Sequence, residues 1–414
     1  MEETISTTAS KLGVFRSGLT LTSIGFEREA INEALEFLEN KEFPTTREES
    51  WKYTRLSKLS KTTFLGNVHP LIKSTPSVHN DSFRFVFENG ILTEQNSDIA
   101  SSIKEVSSEK LIGVKSEPQL FEALNLAYAE DGLYIEIPNK TIVEKPIELI
   151  QVSNNNKATN LRHIIRLGDF AEAEITLVYA SEEKSNGFLN VISDIVLGKG
   201  SKLTIHKLQL ENGTDFHFSR ENAKQDKDST LTINTLTLSG NLVRNDVNVK
   251  VAGQNAETNL NGAYILKNNQ LVDNHTVVDH LVAHCQSNEL YKGVLYDKST
   301  AVFNGKVFVR PDAQKINAFQ SNANVLMSDD ASVNSKPELE IYADDVKCSH
   351  GSTTGQLDES AIFYLRARGL SEKSAKSLLV SAFISDILNK IDNQEVLDFI
   401  QSVLNKEHDW DFEA

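Results

Sequence analysis

The stretch Leu231-Thr232-Ile233-Asn234-Thr235-Leu236-Thr237-Leu238 alternates apolar and polar residues, which is the pattern of a half-buried β-strand. The same alternation returns elsewhere in the middle of the chain, in residues 133–137, 164–167, 192–197 and 203–205. Residues that favour turns separate these runs, at Gly168-Asp169, Gly198-Lys199-Gly200, Asn212-Gly213, Gly240-Asn241 and Asn261-Gly262. The middle of the chain is therefore predicted to consist of short strands joined by tight corners.

The strands recur with a loose period. A small residue that follows each corner and precedes the next strand returns at intervals of about 27 to 30 residues, at Ala171, Ser201, Ser229 and Ala256. Such spacing is typical of repeat architectures. No helical pattern intervenes, and a β-sandwich would need a hairpin turn at nearly every connection. We therefore predict stacked coils of parallel strands, that is, a parallel β-helix.

Helical patterns lie on both sides of this region. Ile31 and Leu35 belong to an apolar stripe near the N-terminus. Near the C-terminus, Asp358 suits the start of a helix and Gly369 suits a left-handed C-terminal cap. The predicted organisation is an N-terminal helical and mixed region, a β-helix core and a C-terminal helical domain, at residues 1–130, 131–350 and 351–414.

Composition narrows the functions open to the chain. Its 414 residues include 42 Lys and Arg against 58 Asp and Glu, a net charge of −16, which disfavours binding to nucleic acid. Two cysteines are too few for a disulfide scaffold or a four-cysteine metal site. The N-terminus lacks the pattern of a secretory signal, and no apolar run approaches the roughly 18 residues of a membrane span. These features predict a soluble cytoplasmic protein that binds no membrane.

The sequence lacks the motifs of several common enzymes. It contains no G-x-x-x-x-G-K-[ST] phosphate loop, no G-x-S-x-G elbow and no H-E-x-x-H zinc motif. The stretch Gly198-Lys199-Gly200-Ser201 has neither the spacing of a phosphate loop nor a following helix. The chain is therefore expected to have no ATPase activity of its own.

Two groups of residues contain metal-binding side chains, and the first is His280, His284 and Cys285. On a helix, the two histidines would share one face at the spacing used for zinc. On a strand they would be more than about 13 Å apart, at about 3.3 Å per residue, and could not bind one ion. Because strands are predicted here, we expect structural roles in corners or inside the coil. A zinc hydrolase built on these residues is disfavoured.

The second group is Cys348 and His350. Two positions apart on a strand, they project from one face with β-carbons about 7 Å apart. Thiolate and imidazole suit iron or zinc, and a thiol also suits a sulfur carrier. Two ligands cannot close a metal site, so any metal would need further ligands from the rest of the chain, from solvent or from a partner.

A series of motifs resembles the SufB/SufD family of the SUF iron–sulfur cluster assembly system. They follow in order over residues 290–370 and are Tyr291-Lys292-Gly293, Phe303-Asn304-Gly305-Lys306-Val307, Gln320-Ser321-Asn322, Leu326-Met327-Ser328-Asp329, Pro337-Glu338-Leu339-Glu340-Ile341, Asp344-Asp345-Val346-Lys347-Cys348-Ser349-His350-Gly351 and Phe363-Tyr364-Leu365-Arg366-Ala367-Arg368-Gly369. Trp51-Lys52-Tyr53-Thr54 resembles the N-terminal signature of the family, so the resemblance spans nearly the whole chain. The SufD type is the more similar, because Ala323 stands where SufB carries a functional cysteine and the segment around Cys348 has the SufD form.

The resemblance implies a right-handed parallel β-helix flanked by helical domains. It also implies an accessory scaffold that pairs with SufB through the last coils and binds the ABC-type ATPase SufC through its C-terminal helices. The candidates for docking SufC are Phe363, Tyr364, Arg366 and Arg368. His350 matches a family histidine at the SufB–SufD interface that is implicated as an iron ligand, and Cys348 is its companion. The isolated chain is expected to hold no tightly bound cofactor, only iron or a nascent cluster transiently in complex with SufB.

Other functions stay open on the sequence alone. One is a scaffold of the SufB type, and another is a β-helix carbohydrate-active enzyme of the lyase type, which would need a calcium-binding cluster. The pairs Asp329-Asp330 and Asp344-Asp345 suit calcium poorly, because adjacent side chains diverge on a strand. The sequence also leaves open direct iron binding, the source of sulfur, and a homodimer in the absence of SufB.

Overall fold

The computed structural model describes residues 11–19, 28–65, 75–96, 103–105, 119–182 and 185–408. The helices α1 to α6 are Lys11–Arg16, Arg28–Glu39, Leu120–Tyr128, Glu359–Ala367, Glu372–Leu388 and Gln394–His408. The strands β1 to β19 are Phe83–Glu88, Ile91–Gln95, Ile103–Glu105, Leu133–Ile137, Ile147–Ser153, Ala158–Leu167, Glu172–Ser181, Phe188–Leu197, Lys202–Leu210, Phe216–Gln225, Thr230–Thr237, Leu242–Val251, Glu257–Leu266, Leu271–His280, Gln286–Leu295, Thr300–Val309, Asn317–Leu326, Ser332–Ile341 and Lys347–Gly355.

The strands form two parallel sheets that the chain visits alternately. The ten-stranded sheet has the order β19-β17-β15-β13-β11-β9-β7-β5-β1-β2, and the nine-stranded sheet has the order β18-β16-β14-β12-β10-β8-β6-β4-β3. Only the pairs β1–β2 and β3–β4 are antiparallel among the strand pairs of the described residues. Each coil thus contributes one strand to each sheet, which confirms the predicted parallel β-solenoid with helices at both ends.

Coil length varies around the predicted period. Phe216 pairs with Leu242, an interval of 242 − 216 = 26 residues. Thr300 pairs with Ser332, an interval of 332 − 300 = 32 residues. Within the strands the pairing is continuous, so the corners contain the additional residues.

One corner has the same geometry in six consecutive coils. Two positions before strands of the ten-stranded sheet, the backbone is left-handed, with φ between 57° and 65° at Phe170, Gly200, Asp228, Asn255, His284 and Lys315. The next position is buried and was recognised in the sequence as the series Ala171, Ser201, Ser229 and Ala256, which Cys285 continues. A left-handed turn followed by a buried side chain directs the chain from one sheet into the other.

Three apolar clusters hold the molecule together. The largest fills the space between the two sheets, for example with Ile165, Ile195 and Val249. A second joins the outer face of the ten-stranded sheet to α5 and α6, and a third joins the outer face of the nine-stranded sheet to α1, α2 and α3. The helical units therefore cover one outer face each.

The predicted corner at Asn261-Gly262 is wrong, because both residues lie inside β13. Gly262 pairs with Tyr291 of β15, and a β-carbon on Gly262 would come within 2.3 Å of the Tyr291 ring. Gly293 stands in the same relation to Tyr264, at 2.0 Å. These glycines make room for an aromatic ring on the neighbouring strand, a role of strand glycines that the Asn-Gly pattern does not reveal.

Strand pairing extends beyond the predicted limits of the β-helix core. Strand β1 pairs in parallel with β5 and so joins the sheet before residue 131, and β19 continues to Gly355, past residue 350. The C-terminal helices α4 to α6 follow within the predicted unit, and Gly369 has the expected positive φ of 99°. No helix in the described part of the chain is long and apolar enough to span a membrane.

Candidate functional site

The last coil brings Cys348 and His350 to one face of β19. Cys348 pairs with Ala318 and His350 with Gln320 on β17, and both of these partners are buried inside the solenoid. Ser349 lies between them and pairs with Phe319, whose side chain is exposed on the outer face. Since paired residues of neighbouring strands share a face, Cys348 and His350 both belong to the inner face, as the two-residue spacing predicts.

The open end of the solenoid exposes this part of the inner face. Among the described residues β19 pairs only with β17, and β18 only with β16, so no further coil covers them. His350 is exposed, whereas Cys348 packs partly against the central core. Burial raises the pKa of the Cys348 thiol, which favours its protonated form.

A buried carboxyl group lies two coils below the histidine. Glu289 is the β15 neighbour of Gln320, and its Oε2 accepts hydrogen bonds from Thr276 Oγ1 at 2.5 Å and from Gln320 Nε2 at 3.2 Å. Burial raises the pKa of Glu289 to about 7. Sequence reasoning missed Glu289, because strand alternation does not show which inward residues of different coils become neighbours.

The described residues contain no group of three or more His, Cys, Asp or Glu side chains arranged to hold a metal ion. Cys348 and His350 therefore form at most part of a metal site, as their number predicts. The same finding applies to Asp329-Asp330 and Asp344-Asp345, so the lyase alternative finds no calcium cluster in the part of the chain that is described.

The group of His280, His284 and Cys285 is divided among separate structural roles. His280 is buried, with Nε2 at 2.9 Å from Ser287 Oγ, and burial lowers its pKa to about 4. His284 occupies the left-handed corner position with φ of 65°. Cys285 is fully buried, and its thiol donates to the Gly253 carbonyl oxygen at 3.3 Å. The predicted structural roles agree with this geometry, which separates the two histidines.

A second candidate surface is on α4, which begins directly after the last strand. Phe363 is 74 % exposed and Tyr364 is 56 % exposed. The guanidinium group of Arg368 lies 4.9 Å from the Tyr364 ring centroid and donates to its hydroxyl group at 2.8 Å. Arg366 lies 3.6 Å from the Glu372 carboxylate. Two adjacent exposed aromatic rings beside cationic groups are typical of a protein-binding surface.

The N-terminal signature has a structural role. Trp51 is buried in the cluster that joins the N-terminal helices to the nine-stranded sheet. The Arg244 guanidinium lies 4.0 Å from its ring centroid and donates to Asp273 Oδ2 at 2.7 Å. Thr54 Oγ1 donates to the same oxygen at 2.6 Å. Trp51 and Thr54 thus attach the N-terminal unit to β12 and β14.

An outer cleft lies on the opposite face of the last coils from Cys348. It has a volume of about 730 Å³, and its lining includes Asn288, Phe319, Ser321, His350 and Lys390. Phe319 and Ser321 belong to the outer face of the ten-stranded sheet, whereas His350 belongs to the inner face of the last strand and nevertheless lines the cleft. The cleft therefore shares His350 with the thiol–imidazole pair, whereas Cys348 is not part of its lining.

Fold and site together define a class of protein: a parallel β-solenoid whose reactive groups lie at an open terminal coil and whose outer faces bear helical units. Residues 150–383 match the family model described as the SufBD core domain of SUF system FeS cluster assembly. The chain belongs to this SufBD family of the SUF iron–sulfur cluster assembly system.

Curated relatives extend the match beyond the core. The chain is 30 % identical to the iron–sulfur cluster assembly protein SufD of Escherichia coli over 83 % of its own length and 84 % of that protein. It is also 30 % identical to an iron–sulfur cluster assembly SufBD family protein of Synechocystis over 86 % of each chain. The protein ABCI7, chloroplastic, of Arabidopsis thaliana is 30 % identical over 70 % of this chain and 63 % of its own.

Proposed function

We propose that this protein is an accessory scaffold subunit of the SUF system, which pairs with SufB at its last coils and binds the ATPase SufC through its C-terminal helices. In this function it performs no catalysis alone. Iron or a nascent cluster is the cargo that is assembled where the two scaffold chains meet. The observation that carries the proposal is the open last coil with Cys348 and His350 on its inner face.

The edges of the last coil support pairing with another solenoid. Strands β18 and β19 contain ten and nine residues, and each has one edge without a partner in the described structure. Unpaired backbone donors and acceptors along a regular strand form a template for an additional strand. A partner strand on β19 would therefore continue the ten-stranded sheet and cover the inner-face residues.

The chemistry of the pair suits a site that is shared between chains. Thiolate sulfur and neutral imidazole nitrogen are ligands for iron, and two of them leave coordination positions that a partner can complete. A partner that brings a cation near Cys348 would offset the raised pKa of its thiol. The site would thus become competent only after pairing.

The cluster-assembly step is tested with His350→Ala in a complex co-purified with SufB and SufC. We expect the complex to form but its iron and acid-labile sulfide to fall about ten-fold or more, in the range seen when groups at a metal site are removed. Ser349→Ala is the matched control, since Ser349 belongs to the outer face of the same strand. Full cluster loading of the His350 variant would remove this residue from the mechanism.

Docking of SufC is tested with Phe363→Ala and Tyr364→Ala. Each exposed ring is expected to contribute about 2 kcal/mol or more to binding, the usual threshold for an interface hot spot. Because both rings are exposed, thermal unfolding of the isolated chain should change little. Lys376→Ala on α5 serves as the control, and an unchanged subunit ratio in both aromatic variants would contradict the assignment of α4.

A further inference from the structure

Lys292, which belongs to the Tyr291-Lys292-Gly293 motif, connects the solenoid to the C-terminal helices. Its side chain projects from the outer face of β15 and is 10 % exposed. The ammonium Nζ donates to the Phe383 carbonyl oxygen at 2.7 Å and to Asp386 Oδ2 at 2.5 Å. It also lies 4.6 Å from the Phe383 ring centroid. One cation therefore makes three directional contacts with a single turn of α5.

Other contacts already attach this helical unit to the solenoid. Val380, Ile384 and Ile387 of α5 pack in the same apolar cluster as Ile265 and Val294 of the sheet. At the start of α6, Glu395 accepts from the Asn80 side chain at 2.6 Å, and Asn393 donates to Glu174 at 2.6 Å. Apolar contacts provide attachment with little directional preference, whereas the Lys292 contacts require a defined orientation of α5.

The position of Lys292 links two surfaces of the proposed function. Lys292 pairs with Ala323 on β17, and Ala323 pairs with Thr353 on β19. The candidate site is therefore two strands away in the same sheet. On the other side, α4 lies between β19 and α5, and residues 356–358 are its only connection to β19 along the chain.

We propose that Lys292 is a coupling residue, which fixes the orientation of the C-terminal helices on β15 so that movement of the SufC-bound helices is transmitted to the last coils. This inference rests on the proposed function. It adds Lys292 as the residue through which the bound ATPase SufC acts on the assembly site. Because Lys292 holds α5 on β15 and residues 356–358 join α4 to β19, a movement of this helical unit would be transmitted to both strands. Without Lys292, the apolar contacts of α5 would allow this helix to shift on the sheet, because the directional contacts of Asn393 and Glu395 hold the start of α6 and not α5.

The test compares Lys292→Met with wild type in the full complex with SufB and SufC. Methionine keeps the apolar stem of the side chain but removes the charge and the donors. We expect an unchanged subunit ratio and nearly unchanged ATP turnover. The amount of cluster formed per ATP hydrolysed should fall by at least about five-fold, which is the lower end of measured coupling effects. Lys292→Arg, which keeps the charge and donors, should restore most of this yield.

Matched variants separate coupling from instability. Lys298→Met makes the same substitution at an exposed lysine in the corner that follows β15, 3.9 Å from Asp330, and should keep the wild-type yield. If Lys292→Met loses SufC or unfolds, Asp386→Asn decides, since its carboxylate is 64 % exposed and its loss should lower the yield per ATP in the folded complex. If Lys292→Met is folded and forms as much cluster per ATP as wild type, the proposal is overturned. If Lys292→Met loses SufC or unfolds, a wild-type yield per ATP in Asp386→Asn overturns it instead. Failure of the proposed function itself would be seen in wild type, as a complex without SufC or without cluster.

Discussion

At the residue scale, the interior of the solenoid is more polar than a hydrophobic core requires. Lys207 and Glu221 form an ion pair at 2.8 Å with side chains 0 % and 2 % exposed, and Ser219 accepts a further bond from the same ammonium. Removal of one partner of such a pair leaves an uncompensated buried charge, which is strongly destabilising. Glu289 differs, because its hydrogen-bond partners Thr276 and Gln320 are neutral.

The first prediction concerns the pH dependence of stability at Glu289. Its folded-state pKa of about 7 lies above the ordinary value of 4.5, so the folded chain keeps a proton that the unfolded chain has lost. This carboxyl group therefore reduces stability increasingly as pH rises from about 4.5 to 7. Compared with Glu289→Gln, wild type should lose about 1 kcal/mol of unfolding free energy between pH 6 and pH 8.

Urea unfolding of both proteins at pH 6, 7 and 8 measures this difference directly. Other buried carboxyl groups, such as Glu130, are common to both chains and cancel in the comparison. A constant difference between wild type and Glu289→Gln across this range would show that Glu289 is ionised throughout and would contradict the prediction.

The second prediction concerns Trp51. Its substitution by alanine removes a buried ring that contacts Phe121 and Phe218 and stacks on Arg244. We expect a loss of about 3 to 5 kcal/mol of unfolding free energy, as for other buried aromatic residues. Tyr53→Ala is the control, since Tyr53 is 39 % exposed and its loss should change stability by only about 0.5 kcal/mol. Equal effects of the two substitutions in denaturant unfolding would refute the role of Trp51.

At the scale of elements, the last strand differs from the strands before it. Lys347 N–H donates to the carbonyl oxygen of Ile316, the residue that directly precedes β17. In a parallel strand, the backbone groups of alternate residues bond to opposite neighbours. The N–H of Thr353, six residues after Lys347, therefore faces β17, and the N–H of Ser352 faces the free edge. Strand β19 thus has one satisfied side and one side available to a partner.

The third prediction uses this alternation. Ser352→Pro removes a donor from the free edge and should prevent pairing with SufB, while the isolated chain keeps its thermal stability to within about 1 kcal/mol, since proline is tolerated at strand edges. Thr353→Pro removes a donor to β17 and should destabilise the isolated chain more strongly. Size-exclusion chromatography and thermal unfolding measure the two effects. Normal pairing of Ser352→Pro with SufB would show that β19 is not the contact strand.

Several elements could be predicted from the sequence because their signals are local. The alternation at 231–238 predicts a strand, and the small residues Ala171 and Ser201 indicate the coil period that β7 and β9 confirm. The shared face of Cys348 and His350 follows from their spacing of two. Their exposure did not follow, since it depends on the absence of a later coil over β19 in the described structure.

Long-range pairing explains what the sequence could not reveal. The role of Lys292 depends on Asp386 of α5, which is distant in the sequence. The role of Glu289 depends in the same way on Gln320 of the next coil. Gly262 was misread because its reason lies in Tyr291 on the neighbouring strand. A pattern within one strand contains no information on which side chain of another coil will lie beside it.

At the scale of the whole molecule, stability depends on the number of neighbours of each coil. An inner coil pairs on both sides, whereas the last coil of β18 and β19 pairs on one side within the described residues. Arrays of this kind open from their ends, because an end unit loses fewer contacts when it unfolds. The last coil, which carries the candidate site, is thus one of the two ends from which the array can open.

The fourth prediction follows from this gradient. In the isolated chain, amide hydrogen exchange should be fastest in β18 and β19 and slowest in inner strands such as β9 and β11. Binding of SufB should slow exchange in the last coil, where about 1.4 kcal/mol of added stability gives a ten-fold effect. Protection confined to the N-terminal strands on addition of SufB would place the interface at the other end.

The left-handed corners have a consequence for how such a chain tolerates insertions and deletions. An extra residue inside a strand would turn the following side chains of that strand to the opposite face, and at the start of β19 it would move Cys348 off the inner surface. An extra residue at a corner is absorbed locally, as the variation between coils of 26 and 32 residues illustrates. Insertions and deletions should therefore accumulate at the corners over long evolutionary divergence. The side chains that point inward from each coil should stay the same.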